Sequence, residues 1–149
     1  MKRVWIDIAR CMGCHSCELA CGTAHSASKD LAAAVQKGEK PLISVDVVRL
    51  ERMNFPRHCQ HCEDAPCVRG CMSGALHRDE KTGAVICDRE KCIGCFMCVM
   101  TCPYGAVKEG YDGKAVKCDL CAGEDTPACV KACPTKALIY TEIPEKGAL

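Results

Sequence analysis

The feature that most constrains this chain is the arrangement of its cysteines. There are 17, and sixteen of them fall into four quartets: Cys11, Cys14, Cys17 and Cys21; Cys59, Cys62, Cys67 and Cys71; Cys92, Cys95, Cys98 and Cys102; Cys118, Cys121, Cys129 and Cys133. Each quartet opens with C-x2-C and closes with C-x3-C. Only the middle gap varies, with two residues in quartets one and three, four in quartet two and seven in quartet four. A spacing repeated four times points to one ligand-holding unit copied along the chain.

A chain of 149 residues has room for one modest domain or two very small ones. Its two Phe, one Trp and three Tyr leave little aromatic material for a core, so the interior needs another filler. Dense cysteine means a disulfide scaffold or a metal protein, and the compartment decides between them. The opening MKRVWIDIARC has no apolar signal core, cleavage site or twin arginine, which predicts a cytoplasmic protein with reduced thiols. No run reaches the roughly 18 apolar residues of a membrane span, and an odd cysteine count disfavours complete disulfide pairing. A formal charge of +1 without a basic stripe argues against a nucleic-acid partner.

The repeat extends past the cysteines. MSGALHRD, PYGAVKEG and PTKALIYT follow quartets two, three and four, each a turn leading into a short strand. ALHRD returns through EKTG to AVICD, and AVKEG through YDG to KAVK, which predicts two hairpins. The strands at residues 3–8 and 137–143 have no local partner, and pairing them joins quartets one and four. The expected fold class is α+β: two pseudo-symmetric halves of short strands, short helices and many loops. One half is built from residues 1–22 with 112–149 and the other from 59–111, with an insertion at 23–58. In the insertion, SASKDLAAAVQKG predicts a helix closing at Gly38 with a cap at or near Ser28, and ISVDVVRLERM predicts a strand. Its simplest role is a connector that covers a ligand site.

Groups of four soft thiolates select zinc or iron-sulfur chemistry. Zinc typically closes one tetrahedron on two separated knuckles, whereas C-x2-C-x2-C wraps three irons of one cubane. In the bacterial ferredoxin run the fourth cysteine ligates the neighbouring cluster, which explains why the spacing changes before Cys21. A helical turn plus the cubane's own size puts paired centres on the order of 10 to 12 Å apart. Sixteen cysteines predict four 4Fe-4S clusters, with iron as the metal and no catalytic residues. Cys102-Pro103 and Cys133-Pro134 fit the ferredoxin ending, while Cys71-Met72 and Cys21-Gly22 depart from it. Cys87, in AVICD, reads as a small buried apolar residue. His15, His58, His61 and His77 read as groups around the clusters or in solvent, since each quartet is already complete. Four oxidised clusters with their thiolates take the formal +1 to about −7. Arg10, Lys91 and Lys117 directly precede their quartets, and Arg57-His58 precedes Cys59; ordinary solvated charge is the simpler reading, and offsetting of cluster charge the alternative.

CHSCELAC, RHCQHCEDAPC, CIGCFMCVMTCP and KCDLC with PACVKACPTKAL resemble the four-cluster ferredoxin subunits related to the beta subunit of dimethyl sulfoxide reductase. Among the small members, the opening CMGCHSCELAC is most similar to the iron-sulfur subunits serving CO dehydrogenase and tungsten aldehyde oxidoreductase, with those of formate dehydrogenases and hydrogenases close behind. The resemblance implies the ligand sets Cys11, Cys14, Cys17 and Cys133; Cys118, Cys121, Cys129 and Cys21; Cys59, Cys62, Cys67 and Cys102; and Cys92, Cys95, Cys98 and Cys71. It also implies a non-catalytic electron-transfer subunit. The partner would be a catalytic oxidoreductase (a tungsten or molybdenum enzyme, a CO dehydrogenase or a hydrogenase), with a ferredoxin or flavin subunit at the other end. The rival readings are a freely diffusing polyferredoxin, a zinc-binding interaction protein, and copies stacked head to tail.

Overall fold

The computed structural model describes residues 1–142. Every sheet in it is a two-stranded antiparallel ribbon. β1 (Lys2–Ile6) pairs with β8 (Leu138–Glu142), Lys2 opposite Glu142 and Ile6 opposite Leu138, so the terminal strands meet as their missing local partners predict. Residue 143, the last of that expected strand, lies outside the described residues. β4 (Leu76–Arg78) pairs with β5 (Val85–Cys87), and β6 (Lys108–Glu109) with β7 (Ala115–Val116). Both expected hairpins form, shorter than their apolar runs.

The insertion forms its expected helix and differs from expectation in its strand. Its helix α2 (Leu31–Gln36) is capped by Asp30, whose carboxylate accepts from the Ala33 N–H at 2.8 Å; Ser28 instead donates its hydroxyl to the Asp30 carbonyl at 3.4 Å. The carboxylate sits three residues before the free amide, where a cap must reach. The run expected as one strand turns at residues 51–52, so that β2 (Asp46–Leu50) pairs with β3 (Met53–Arg57). Pro56 is tolerated in β3 because a two-stranded ribbon leaves an edge where no N–H is needed.

Four short helices follow a single rule. α1 (Ser16–Ala24), α3 (Pro66–Arg69), α4 (Met97–Thr101) and α5 (Ala128–Lys131) each hold the third cysteine of their quartet at their second position. These four thiols, Cys17, Cys67, Cys98 and Cys129, are buried. Two apolar clusters result. Val4, Val45, Leu120 and Leu138 pack with Cys17, Cys21 and Cys129, whereas Ala65, Leu76, Val85, Val107 and Ala115 pack with Cys67 and Cys98. Because Ala115 of β7 packs in the second cluster, the β6–β7 hairpin crosses the 111/112 boundary expected from sequence. Among the described residues no helix is long and apolar enough to cross a membrane.

Candidate metal centre

The C-x2-C turn sets the first two ligands of every quartet. Just before the second cysteine the backbone is left-handed: φ is 72° at Gly13, 71° at Gly94, 46° at His61 and 60° at Leu120. Glycine takes this conformation freely, while a side chain costs about 1–2 kcal/mol there. At quartets two and four the turn also aims its amide at sulfur. His61 N–H donates to Cys59 Sγ and Leu120 N–H to Cys118 Sγ, both at 3.4 Å.

The last cysteine of each quartet receives an amide from the chain that follows. Ala106 N–H reaches Cys102 Sγ at 3.4 Å and Ala137 N–H reaches Cys133 Sγ at 3.2 Å. Cys71 lacks the following proline, yet Leu76 N–H reaches it at 3.4 Å, so Met72 leaves the turn's function intact. After Cys21 the chain behaves differently. With Gly22 in place of proline, α1 continues to Ala24, and Ser44 of the insertion supplies the amide to Cys21 Sγ at 3.4 Å. The insertion therefore acts as a cover, as the sequence predicts, with Val47 N–H also donating to Glu18 at 2.5 Å. Ala115 and Ala128 amides donate to Cys92 and Cys121 at 3.4 and 3.5 Å.

Three cavities collect cysteines from different quartets. Cys118, Cys121, Cys129 and Cys21 line one, together with Cys59. Cys59, Cys62, Cys67 and Cys102 line another. Cys92, Cys95, Cys98 and Cys71 line the third, together with Cys87, which is half-buried. Cys17 lies in α1, which packs on α5, and Cys14, just before that helix, lies close enough to Cys133 to feel its charge.

The donor set fits an iron-sulfur group better than zinc or disulfides. All seventeen cysteines are free despite their proximity. A zinc ion about 2.3 Å from four thiolates draws their sulfurs to about 3.8 Å of one another. Among the described residues no three cysteine sulfurs lie within 4.8 Å of one another; the one group that compact is His25, Asp119 and Cys121. A cubane places each thiolate on its own iron and needs the wider spacing, and amides aimed at sulfur suit a ligand shell that carries net negative charge.

The thiols divide by environment. Burial pushes Cys17 and Cys87 up to about 11 and Cys129 up to about 12, and Cys118 well above the ordinary thiol value. At Cys71 and Cys133 burial also raises the pKa, but hydrogen bonds from Leu76 and Ser73, and from Leu138 and Thr135, outweigh it and the net shift is downward. His25 is held protonated, up to about 11, by its bond to Asp119 and by Cys21; its Nε2 lies 3.1 Å from Asp119 Oδ1.

The cations differ from the simple sequence reading. Arg10 and Lys91 are exposed, paired with Asp7 at 3.2 Å and Asp88 at 3.3 Å, as solvated charges should be. Lys117 is 8% exposed. Its Nζ donates to Cys59 Sγ at 2.9 Å, Val85 O at 2.5 Å and Cys118 O at 3.3 Å. It is a buried cation joining the second and fourth quartets, and the solvated reading is wrong for it.

The histidines also separate. His15 is exposed and contacts Glu18 at 3.0 Å, and His77 is exposed. His58 and His61 are 4% and 1% exposed, and each has a buried Nε2 without a partner. An unsatisfied buried polar group costs about 1–3 kcal/mol. Burial, with the Lys117 charge adding, pushes His61 down to about 3, so it is neutral. Sequence did hold a signal for His61: CMGC and CIGC place glycine where CQHC places it.

Residues 50–143 match the family described as 4Fe-4S dicluster domain. The chain is 40% identical to an iron-sulfur protein of Rhodospirillum rubrum, over 94% of this chain and 82% of that protein. It is 39% identical to the electron transport protein HydN of Escherichia coli, over 91% and 85%. It is 37% identical to the thiosulfate reductase electron transfer subunit PhsB of Salmonella typhi, over 93% and 74%. Among solved structures it resembles a chain of the active site complex BamBC of benzoyl coenzyme A reductase, with a TM-score of 0.51, 25% identity, and coverage of 95% of this chain and 79% of that one.

Proposed function

Because the chain belongs to the 4Fe-4S dicluster domain family, we propose that it is the electron-transfer subunit of an oxidoreductase complex, holding four 4Fe-4S clusters in two ferredoxin-like halves. The chain is an iron-sulfur electron-transfer protein without a catalytic site of its own, related to electron transport and electron transfer subunits. The cluster count, ligand sets and partner are the finer proposal. Each cluster, when bound, takes up and releases one electron at a time.

The ligand sets proposed are Cys11, Cys14, Cys17 with Cys133; Cys118, Cys121, Cys129 with Cys21; Cys59, Cys62, Cys67 with Cys102; and Cys92, Cys95, Cys98 with Cys71. The observation that carries three of them is the cavities, each of which includes three cysteines of one quartet and the last cysteine of another; the set of Cys11, Cys14 and Cys17 with Cys133 is supported by the nearness of Cys14 to Cys133. Two separate apolar clusters support two halves, residues 1–22 with 112–149 and residues 59–111, with Ala115 packing in the second and Ala84 and Val45 in the first. Seventeen free thiols fit a reducing, cytoplasmic location.

The chain's residues hold, insulate and tune. Thiolates from two quartets fix each centre, backbone amides offset charge at sulfur, and Ala65, Pro127 and Val85 keep water from the interior. Cys14 and Cys95 are the two exposed ligands. They mark the places where a partner's redox group comes nearest: a tungsten, molybdenum, CO dehydrogenase or hydrogenase subunit at one, a ferredoxin or flavin subunit at the other.

Iron and acid-labile sulfide on anaerobically purified protein test the count. About sixteen irons per chain are expected, and about eight would leave only two clusters. Cys71→Ser and Cys95→Ser are expected to alter the same reduced-state paramagnetic signal, and different signals would refute the exchange of last ligands. A stable redox enzyme that co-purifies with the untagged chain separates a subunit from a freely diffusing carrier.

A further inference from the structure

His61 is the residue that the electron-holding role leaves unexplained. It occupies a left-handed turn position that glycine fills at Gly13 and Gly94, and it is the largest fully buried side chain among the described residues. Val85 N–H donates to its Nδ1 at 3.1 Å. That nitrogen therefore holds the lone pair, and the ring's proton sits on Nε2. Nε2 is buried and has no partner among the described residues.

The surroundings limit what can accept this proton. His61 lines the cavity of Cys59, Cys62, Cys67 and Cys102. Pro66 and Val107 there offer no side-chain acceptor, Gln60 is turned toward His58, Lys117 is itself a donor, and the half-exposed Tyr104 hydroxyl makes no hydrogen bond with this nitrogen. No cysteine sulfur takes the proton either, so the acceptor left is the sulfide of a group that fills the cavity. His58 is not equivalent: its Nδ1 lies 3.0 Å from the Cys59 carbonyl, with Gln60 Nε2 farther away at 3.3 Å. Its proton is thus on Nδ1, and its orphaned Nε2 is an acceptor.

We infer that His61 donates its Nε2–H to sulfur of the iron-sulfur group held by Cys59, Cys62, Cys67 and Cys102. Together with the Lys117 ammonium on Cys59 Sγ, this makes that centre the most easily reduced in the chain. The inference rests on the ligand set proposed above. Reduction adds negative charge to the group, so a donor and a buried cation held at its sulfurs stabilise the reduced form more than the oxidised one. Leu120 sits at the equivalent turn position of quartet four, where an apolar side chain gives the same turn without the donor.

The test is a potentiometric titration of the loaded protein, followed by paramagnetic resonance, for wild type, His61→Leu and His61→Gln. Leu120 shows that leucine suits this turn, and glutamine returns an N–H near the position of Nε2. With iron content unchanged, His61→Leu is expected to move the first-reduced centre to a more negative potential, and His61→Gln to recover part of the shift. An unchanged potential in His61→Leu, or equal shifts in both variants, overturns the inference while leaving the four-cluster reading in place. A wild-type iron content near half the expected value refutes the reading, and the inference falls with it. A measurement without substitution guards against a variant that does not load. In wild-type protein labelled with 15N-histidine and reduced by one electron, coupling of an imidazole nitrogen to the unpaired spin is expected, and its absence overturns the inference.

Discussion

Quartets one and three differ from quartets two and four in their middle gap, and exposure follows from that difference. In the first pair two residues separate the second and third cysteines, too few to cover the turn. Cys14 and Cys95 are exposed, beside exposed Met12 and Leu19 at one and Ile93, Met97 and Met100 at the other. In the second pair, gaps of four and seven residues carry Ala65 and Pro127 over the ligands, and both are buried. There the glycine of the turn is replaced by buried His61 and Leu120, and Lys117 lies between the two quartets. One unit thus gives two environments: open quartets with an exposed cysteine, and enclosed quartets with buried donors beside the thiols.

The largest expected effect breaks an open centre. A Cβ at Gly94 would press into the Gly113 carbonyl oxygen while φ stays at +71°. Backbone cannot retreat as a side chain can, and the left-handed conformation adds about 1–2 kcal/mol. Gly94→Ala is expected to lose about a quarter of the iron and to lower the unfolding temperature. At Gly13 the added carbon meets Asn54 Cγ at 2.7 Å, a side chain free to turn away, so Gly13→Ala should lose less. Equal iron loss in the two would show that the turn conformation alone decides loading.

Next is the enclosed pair. Lys117→Met removes a buried cation, takes one of two donors from the Cys59 sulfur and takes the ammonium from the Val85 carbonyl. A cost of about 1–3 kcal/mol in stability is expected, together with a more negative potential at one centre, read by denaturation and potentiometric titration. A shift of all centres by the same amount would mean that Lys117 acts through net charge and not through its contact with Cys59.

Much of this organisation is legible in the sequence, for identifiable reasons. The pairing of β1 with β8 follows from the lack of any local partner, and the β4–β5 and β6–β7 hairpins from turn residues between apolar runs. The β2–β3 hairpin is not legible, because ISVDVVRLERM contains neither glycine nor proline to mark its turn. The cap of α2 is legible only to within a few residues of Ser28, because Ser28 and Asp30 both suit the role and distance to the Ala33 amide selects Asp30. Lys117 precedes its quartet as Arg10 and Lys91 do, and its burial depends on β5 lying across it, since Val85 O takes its ammonium. That contact spans 32 residues, beyond the reach of any local pattern.

The smallest expected effect sharpens the comparison most. Arg10, Lys91 and Lys117 hold the same position in their repeats, so position alone would predict equal influence on the centres. Their surroundings predict otherwise. Arg10 and Lys91, themselves exposed, reach half-buried carboxylates of their own segments, Asp7 and Asp88, where water and salt screen the charge over about 8 Å at physiological ionic strength. Each pair is also self-neutralising, leaving little field at the nearest thiolate. Arg10→Gln and Lys91→Gln are therefore expected to leave every potential unchanged at about 0.15 M salt, with a small negative shift emerging near 0.01 M, where the screening length grows to about 30 Å. If either substitution matched the shift of Lys117→Met at physiological salt, burial would not be what distinguishes the enclosed centres from the open ones.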